Sequence, residues 1–180
     1  MQKLCRFMLC ALLLCLGGCT GTPENVEPVQ NFQLNRYLGK WYEIARLDHS
    51  FERGLSRVTA EYSLNPDGSV RVVNRGFSPE EARWKQAEGR AVFAGSESSG
   101  HLKVSFFGPF YASYVIVELD EAYQYALVTG HNKSYLWILS RTPSLPRSTL
   151  NRLVQRAAEL GYPTDELILV AQNEAADANR

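Results

Sequence analysis

Short runs rich in Val, Tyr, Phe, Trp and Ile recur along this chain from Tyr37 onward, and turn residues separate them. Runs of this length and spacing indicate an all-β barrel or sandwich. Eight antiparallel strands suit an up-and-down barrel that is wide enough to hold one small ligand. The predicted strands are 39–46, 57–64, 69–77, 85–93, 101–107, 113–119, 125–129 and 135–140.

The last of these strands and the segment after it predict how the barrel is covered. Residues 135–139 are apolar on both faces, and a strand buried on both sides needs an element packed outside it. Residues 147–160 carry apolar side chains at helical spacing between Pro146 and Gly161, which are typical of a helix start and end. We therefore predict one C-terminal α-helix packed outside the barrel, with a possible short ninth strand in 164–172.

The N-terminus has the features of an export signal. Lys3 and Arg6 precede an apolar run that is shorter than the roughly 20 residues needed to cross a bilayer as a helix. The sequence Leu16-Gly17-Gly18-Cys19 is typical of a bacterial lipoprotein, so residues 1–18 are predicted to be a signal peptide and Cys19 the site of lipid attachment. The alternative is cleavage at an ordinary small-residue site, with Cys19 unmodified.

The cysteines and the polar segments mark out the domains. All four cysteines lie at or before position 19, so the barrel cannot form an internal disulfide. The polar residues 20–31 include two prolines, which predicts that 19–31 is the lipidated cysteine with a flexible tether, 32–172 the barrel and 173–180 a polar tail. Basic and acidic residues number 19 each, which gives no electrostatic basis for nucleic-acid binding.

Two motifs resemble those of the lipocalin family. Gly39-Lys40-Trp41 matches the family's first motif, and Ser140-Arg141-Thr142-Pro143 matches its third. The middle motif is degraded, because Asp120-Glu121-Ala122 stands in its place. Other stretches, such as Lys103-Val104-Ser105-Phe106-Phe107-Gly108-Pro109-Phe110, are similar to bacterial outer-membrane lipoprotein lipocalins, which are related to apolipoprotein D. The resemblance runs from about residue 38 to residue 170.

The resemblance implies a fold and a function. In lipocalins the Trp of the first motif closes one barrel end and the Arg of the third packs across it, so Gly39, Trp41 and Arg141 are expected to form that end. It also implies a membrane-anchored protein that stores or transports fatty acids, phospholipids or lysophospholipids for envelope maintenance, without a cofactor. Thr20 follows Cys19 where an Asp would imply inner-membrane retention, so the expected address is the bacterial outer membrane, with the barrel facing the periplasm.

Strand alternation predicts which side chains line a cavity. Loops at alternate barrel ends place the mouth at residues 47–56, 78–84, 108–112 and 130–134. Seven residues that share a face with the inward apolar positions are expected to bind the ligand: Tyr62, Asn74, Phe93, Phe106, Tyr114, Ile116 and Trp137. The alternative for each is a place in a filled core, as in any small barrel.

Glu43 shares strand parity with Trp41, so its carboxylate is predicted to point inward. An inward carboxylate needs a partner, and Arg141 is the expected one, in a structural brace at the barrel base. Two alternatives are open: Glu43 and Asn74 add polarity to the pocket, or a register shift turns Glu43 outward.

Aromatic and basic residues gather near the expected mouth. Three roles are open for residues 106–111 (FFGPFY): contact with the ligand tail, entry into the membrane interface, or a homodimer contact. Basic groups at this rim would meet a phosphate headgroup or belong to a solvated rim of mixed charge. They are Arg46, Arg53, Arg83, His131 and Lys133.

No catalytic or metal-binding residue is predicted. Asp48-His49-Ser50 has the residue types of a hydrolase triad, but three consecutive side chains do not align a nucleophile, a base and an orienting group. The chain has no Gly-x-Ser-x-Gly sequence, and its three histidines are scattered. The leading hypothesis is a lipid carrier. The alternatives are a lipid hydrolase or isomerase built on the same barrel, and a filled barrel that serves as an envelope interaction protein.

Overall fold

The computed structural model describes residues 20–173, so the predicted signal peptide, Cys19 and residues 174–180 lie outside the described residues. The elements are α1 (Leu34–Tyr37), β1 (Gly39–Arg46), β2 (Ser56–Leu64), β3 (Val70–Ser78), β4 (Arg83–Phe93), β5 (His101–Phe107), β6 (Phe110–Leu119), β7 (Tyr125–Thr129), β8 (Leu136–Ser140), α2 (Arg147–Glu159), a 3-10 turn (Thr164–Glu166) and β9 (Ile168–Leu169). Within the described range, no helix is long and apolar enough to cross a membrane.

The strands form a closed antiparallel barrel. They are hydrogen-bonded in the order β2-β3-β4-β5-β6-β7-β8-β1, and β1 also pairs with β2, which closes the sheet on itself. The first half of β1 pairs with β2, with Trp41 opposite Ala60. Further along β1, its partner is β9, with Ala45 opposite Leu169. The predicted eight-stranded barrel, the C-terminal helix and the short ninth strand are therefore confirmed.

An irregularity in β1 changes which of its side chains face the interior. The register against β8 shifts between Glu43 and Ala45. Trp41 packs in the core inside the barrel, whereas Ile44 and Ala45 both pack in the second core, outside it. A bulge that places two consecutive residues on one face returns the next side chain to the other face. Glu43 and Arg46 consequently lie on the same, inward side of the strand.

The second core lies between the barrel wall and α2. Leu153 and Ala157 of the helix are fully buried there, together with Leu136 and Ile138 of β8. Each large aliphatic side chain that is removed from water in this way contributes about 1.5–3 kcal/mol. The helix is thus the outside element that the two-sided apolarity of β8 predicts.

The segment before α1 is packed on the barrel, although the sequence predicts a flexible tether over 19–31. Val26 is buried in the outer core. Val29 donates its amide to Ile116 (2.9 Å) and accepts from the Gly100 amide (2.8 Å), which adds it to the sheet. A Cβ on Gly100 would lie 2.6 Å from Val29 Cγ2, so this glycine permits the contact. Only a few residues after Cys19 are therefore left as a connection to the barrel.

The closed end of the barrel is built around Trp41 and Arg141. The Trp41 ring is fully buried, and its Nε1 donates to the Tyr37 carbonyl at 2.8 Å. The Arg141 guanidinium lies 4.0 Å from the ring centroid and donates to the carbonyls of Lys40, Arg36 and Tyr123. Gly39 has φ +92°, and a Cβ there would lie 3.4 Å from Arg141 Nη1. The structure thus places Gly39, Trp41 and Arg141 together at this end.

Candidate functional site

A cavity of about 660 Å³ occupies the interior of the barrel above the closed end. Residues from three loops at the opposite end line its mouth: His49 and Glu52 after β1, Phe107 and Phe110 around the β5–β6 turn, and His131 after β7. Its walls are mainly apolar side chains from the inward positions of the strands, including Val58, Val72, Leu102, Val104 and Leu139. A volume of this size lies within the range of about 300–1,000 Å³ that is usual for small-molecule sites.

Five of the seven residues predicted to bind ligand line this cavity: Tyr62, Asn74, Phe106, Tyr114 and Trp137. The structure places the other two elsewhere. The Phe93 ring packs 6.2 Å from the Phe32 ring, and the fully buried Ile116 is covered by the segment that contains Val29. Val29, Phe32, Leu34 and Tyr37 pack into the inner core at the lower end of the barrel, so the inward positions of β4 and β6 at that level belong to a solid core rather than to the cavity wall.

Four charged or polar side chains are buried near the mouth, and we call Glu43, Arg46, His49 and Glu52 the mouth cluster. Arg46 Nη1 donates to Glu43 Oε1 at 2.7 Å, and Arg46 Nη2 donates to the Glu52 carbonyl at 2.9 Å. His49 Nε2 lies 3.2 Å from Glu52 Oε2. Trp137 Nε1 donates to the same carboxylate oxygen at 3.1 Å. The cluster therefore ties β1, the loop after it and β8 together.

The two carboxyls of the mouth cluster differ in pKa. Burial, and after it the negative charge of Glu52, raises the pKa of Glu43 well above the ordinary value of 4.5, although Arg46 opposes the rise. Burial also acts to raise the pKa of Glu52, but hydrogen bonds from His49, Glu43 and Trp137 outweigh it and hold that pKa below the ordinary value. Glu43 therefore holds a proton more tightly than Glu52 does.

Two predictions about these residues are wrong. Glu43 points inward, as expected, but its partner is Arg46 rather than Arg141, which lies at the closed end. Arg46 is buried rather than exposed at the rim. Both errors have one cause, because residues three apart on a regular strand face opposite sides and only the bulge in β1 brings Glu43 and Arg46 together. The sequence carries no clear signal for that bulge.

An aromatic wall rises from the mouth cluster toward solvent. Trp137 and Tyr135 are stacked with ring centroids 6.1 Å apart, and Tyr135 also stacks on Phe51 at 6.4 Å. The His49 ring lies 5.0 Å from Trp137. All four rings line the cavity. Aromatic rings offer a large apolar contact area with a polar edge, which suits the region where a greasy ligand meets water.

The opposite end of the cavity is closed by three tyrosines, and we call Tyr37, Tyr62 and Tyr114 the tyrosine floor. The Tyr37 and Tyr114 hydroxyls are 2.7 Å apart, and Tyr62 donates to the Tyr114 hydroxyl at 2.9 Å. All three side chains line the cavity. Burial raises the pKa of each hydroxyl well above its ordinary value, so all three stay neutral and can donate hydrogen bonds.

The rim of the mouth carries exposed aromatic side chains. Phe51, Phe107 and Phe110 are 67%, 75% and 79% exposed, on two different loops. Of the basic groups predicted at the rim, Arg53 pairs with Asp48 at 2.9 Å and Arg83 pairs with Glu81. These two arginines thus have carboxylate partners, which matches the solvated rim of mixed charge better than a free phosphate site.

Asp48, His49 and Ser50 do not form a catalytic triad in the structure. Ser50 is exposed, and His49 contacts Glu52 instead of forming a relay with Asp48 and Ser50. Among residues 20–173, no group of three or more His, Cys, Asp or Glu side chains is placed to hold a metal ion. The geometry is that of an apolar cavity with one charged end and one hydroxyl-lined end.

The chain is similar to known proteins over most of its length. It is 57% identical over 166 residues to the outer membrane lipoprotein Blc of Vibrio cholerae, which covers 92% of this chain and 96% of that protein. It is 49% identical to the protein of the same name from Escherichia coli K12, over 83% of this chain and 85% of that one. Identity to apolipoprotein D of Rattus norvegicus is 35%, over 77% and 74% of the two chains.

A solved structure and a protein family that match this chain are consistent with the similarity to these relatives. Insecticyanin from the tobacco hornworm Manduca sexta superposes with a TM-score of 0.70 at 21% identity, covering 87% of this chain and 89% of that one, which shows the same fold. Residues 32–172 match the family described as the Lipocalin-like domain. This match spans more than half of the chain and coincides with the closed barrel, and we conclude that the chain belongs to the lipocalin family.

Proposed function

We propose that this protein is a lipid carrier that stores or transports fatty acids, phospholipids or lysophospholipids for maintenance of the bacterial envelope. The observation that carries this proposal is the open-ended cavity of about 660 Å³ with apolar walls between two polar ends. A lipid has the same division, because its acyl chain gains free energy by leaving water and its headgroup does not. The acyl chain lies along the strands, and the polar group of the lipid meets one of the two polar ends.

The proposed location is the periplasmic side of the outer membrane, through a lipid on Cys19. The relatives from Vibrio cholerae and Escherichia coli are named outer membrane lipoproteins. Packing of the chain begins at the buried Pro23, four residues after Cys19. Four extended residues span at most about 14 Å, so the barrel is held close to the membrane surface. This short connection favours direct exchange of lipid with that membrane.

The proposed activity is binding without turnover. Each carboxyl of the mouth cluster has a hydrogen-bond donor from the protein, since Arg46 donates to Glu43 and Trp137 donates to Glu52. A hydrolase or isomerase would require one of these groups to be free to exchange a proton with the ligand. The lipid-modifying enzyme is thus the alternative that the binding experiment has to exclude.

Native mass spectrometry of the mature chain tests the proposal. The protein is mixed separately with a free fatty acid, a lysophospholipid and a diacyl phospholipid. For at least one of these lipids, we expect a one-to-one complex in which the mass of the bound lipid is unchanged. The order of affinities identifies the preferred headgroup and the preferred number of acyl chains. Release of a shortened lipid would support the enzyme instead.

A variant with a filled cavity provides the control. Ala60 lines the cavity halfway along β2, and Ala60→Trp places a large side chain in the lumen. We expect this variant to keep the β-sheet circular dichroism spectrum and to lose the complex. If the variant and the wild type bind equally, the lipid lies outside the barrel and the proposal is wrong.

A further inference from the structure

The tyrosine floor spans the whole barrel. Tyr62 is on β2 and Tyr114 is on β6, which is four strands away in an eight-stranded barrel and so on the opposite wall. Tyr37 comes from α1, which closes the barrel from below. The three hydroxyls therefore meet near the barrel axis, where the deep end of any ligand in the cavity has to stop.

The tyrosine floor has one more hydroxyl hydrogen than its own hydrogen bonds use. Three neutral hydroxyls supply three hydrogens, and the two hydrogen bonds between them use two. Because Tyr62 donates to Tyr114, the third hydrogen is on Tyr114 or on Tyr37. Within residues 20–173, these hydroxyls form no other hydrogen bond. A donor that faces an apolar cavity without an acceptor is costly, and buried donors in proteins are nearly always paired.

A second polar group lies just above the floor. Asn74 pairs with Ala60, one inward step from the Tyr62–Val72 pair, so it is a diagonal neighbour of Tyr62 on the same inner face. Its side chain lines the cavity, and its Oδ1 is buried and makes no hydrogen bond to any described residue. The residues that line the lower cavity thus carry one unused donor, a tyrosine hydroxyl, and one unused acceptor, Asn74 Oδ1.

We propose that the tyrosine floor, with Asn74 beside it, is a binding site for an oxygen atom at the deep end of the lipid. The inference rests on the proposed carrier function and narrows its ligand class to acyl chains that carry a hydroxyl or a protonated carboxyl at the buried end, because such a group accepts from the spare tyrosine hydroxyl and donates to Asn74 Oδ1. Two ligands have this chemistry: a fatty acid that enters carboxyl first, and a chain oxygenated at its ω-carbon whose headgroup stays at the mouth. Lipids that end in a plain methyl group leave the spare hydroxyl unpaired.

A comparison of two matched ligands tests the site. The affinities of the mature chain for hexadecanoic acid and 16-hydroxyhexadecanoic acid are measured by competition with a fluorescent fatty acid, together with shorter and longer ω-hydroxy acids. We expect the ω-hydroxy acid to keep its affinity at one chain length only, which is the length that brings its hydroxyl to the tyrosine floor. In a Tyr37→Phe, Tyr62→Phe, Tyr114→Phe variant we expect the affinity ratio of the two ligands to fall by about tenfold or more, because the hydroxyl then has no partner.

Tyr135→Phe is the matched control, since it removes a hydroxyl from the same cavity at the mouth and should leave the ratio unchanged. The orientation of the acid is determined with hexadecanoic acid labelled with 13C at the carboxyl carbon. A carboxyl signal that does not titrate between about pH 4 and 9 places the carboxyl on the floor. A signal that titrates, together with the ω-hydroxyl preference, places the oxygenated ω-carbon there.

The outcomes separate this inference from the carrier function. If neither acid binds, the carrier function itself fails. If both bind, the ratio is equal in the wild type and in the triple variant, and the carboxyl titrates, then the tyrosines are only packing and the inference is overturned. Should the triple variant not fold, nuclear Overhauser contacts between the ω-CH2 group and the rings of Tyr37 and Tyr114 in the wild type decide the same question, and their absence overturns it.

Discussion

The closed end and the mouth of this barrel each use an arginine to hold β1, but Arg46 at the mouth is buried, Arg141 at the closed end is partly exposed, and their partners are different. Arg141 lies on the Trp41 ring and donates to three backbone carbonyls, none of which can titrate. Arg46 faces Glu43 and also binds the carbonyls of Glu52 and Leu55. The same side chain therefore forms a permanent brace at one end and a protonation-dependent one at the other.

This difference has a functional meaning for a carrier. The closed end does not have to admit a ligand, so its side chains can be packed as in any protein core. The mouth has to admit a ligand, and its loop is held by a cluster whose net charge depends on one proton shared by Glu43 and Glu52. We therefore expect changes at the closed end to act on global stability, and changes at the mouth to act on the loop 47–55 and on pH dependence.

The largest effect is expected at the closed end. Trp41→Ala removes a fully buried aromatic ring and the surface on which Arg141 lies, and should lower the free energy of unfolding by about 4 kcal/mol. This decrease is measured by urea unfolding, with circular dichroism as the signal. The control is Trp84→Ala, because Trp84 is half exposed on the outer wall and its loss should cost far less. Equal losses of unfolding free energy in the two variants would mean that Trp41 does not stabilise the closed end.

At the mouth, Arg46→Met should cost about 3 kcal/mol, because it leaves the buried Glu43 carboxyl and the carbonyls of Glu52 and Leu55 without their donor. Hydrogen exchange should increase mainly in residues 47–55 and little at the closed end. Arg53→Met breaks the exposed pair with Asp48 and is expected to change stability by less than about 1 kcal/mol. Uniform exchange throughout the barrel would contradict a brace that is local to the mouth.

A milder change at the closed end separates charge from shape. Arg141→Lys keeps the positive charge but loses the planar fork that reaches three carbonyls and covers the Trp41 ring, so we expect a loss of about 1–2 kcal/mol. The loss should be the same at pH 5 and pH 8 in thermal unfolding, within about 1 kcal/mol. A strong pH dependence of this loss would show that a titrating group faces Arg141.

The smallest effect is one of pH. Because the folded pKa of Glu43 is raised, the folded state holds this proton more tightly than the unfolded chain, and stability is lost as pH rises from about 4.5 through the folded pKa. Glu43→Gln imitates the protonated form. It should therefore stabilise the protein by about 1 kcal/mol or more at alkaline pH and by little at pH 4. A variant that is destabilised at alkaline pH would mean that Glu43 is ionised in the fold.

The sequence predicts the closed end better than the mouth. The Gly39-x-Trp41 and Arg141 motifs are local, so their contact follows from recognising the family, and strand alternation identifies Tyr62, Tyr114 and Trp137 as inward. The mouth cluster depends on the bulge in β1, which changes the face of Arg46 without a sequence signal. The packed segment before Phe32 is missed because two isolated valines in a polar stretch have no period to detect. That segment is also the reason that Phe93 and Ile116 lie in a solid core.

The central claim is that a lipid occupies the cavity between the mouth and the tyrosine floor. The chain has three tryptophans, which report on three places: Trp137 in the cavity wall, Trp41 in the core against Tyr37, and Trp84 on the outside. Labelling with 5-fluorotryptophan and recording 19F NMR during titration with a fatty acid tests all three in one protein. We expect the Trp137 signal to shift and to saturate at one equivalent, while the signals of Trp41 and Trp84 stay in place. If Trp137 does not respond to any acyl lipid, or if Trp84 alone responds, the ligand is not in the barrel and the account is wrong.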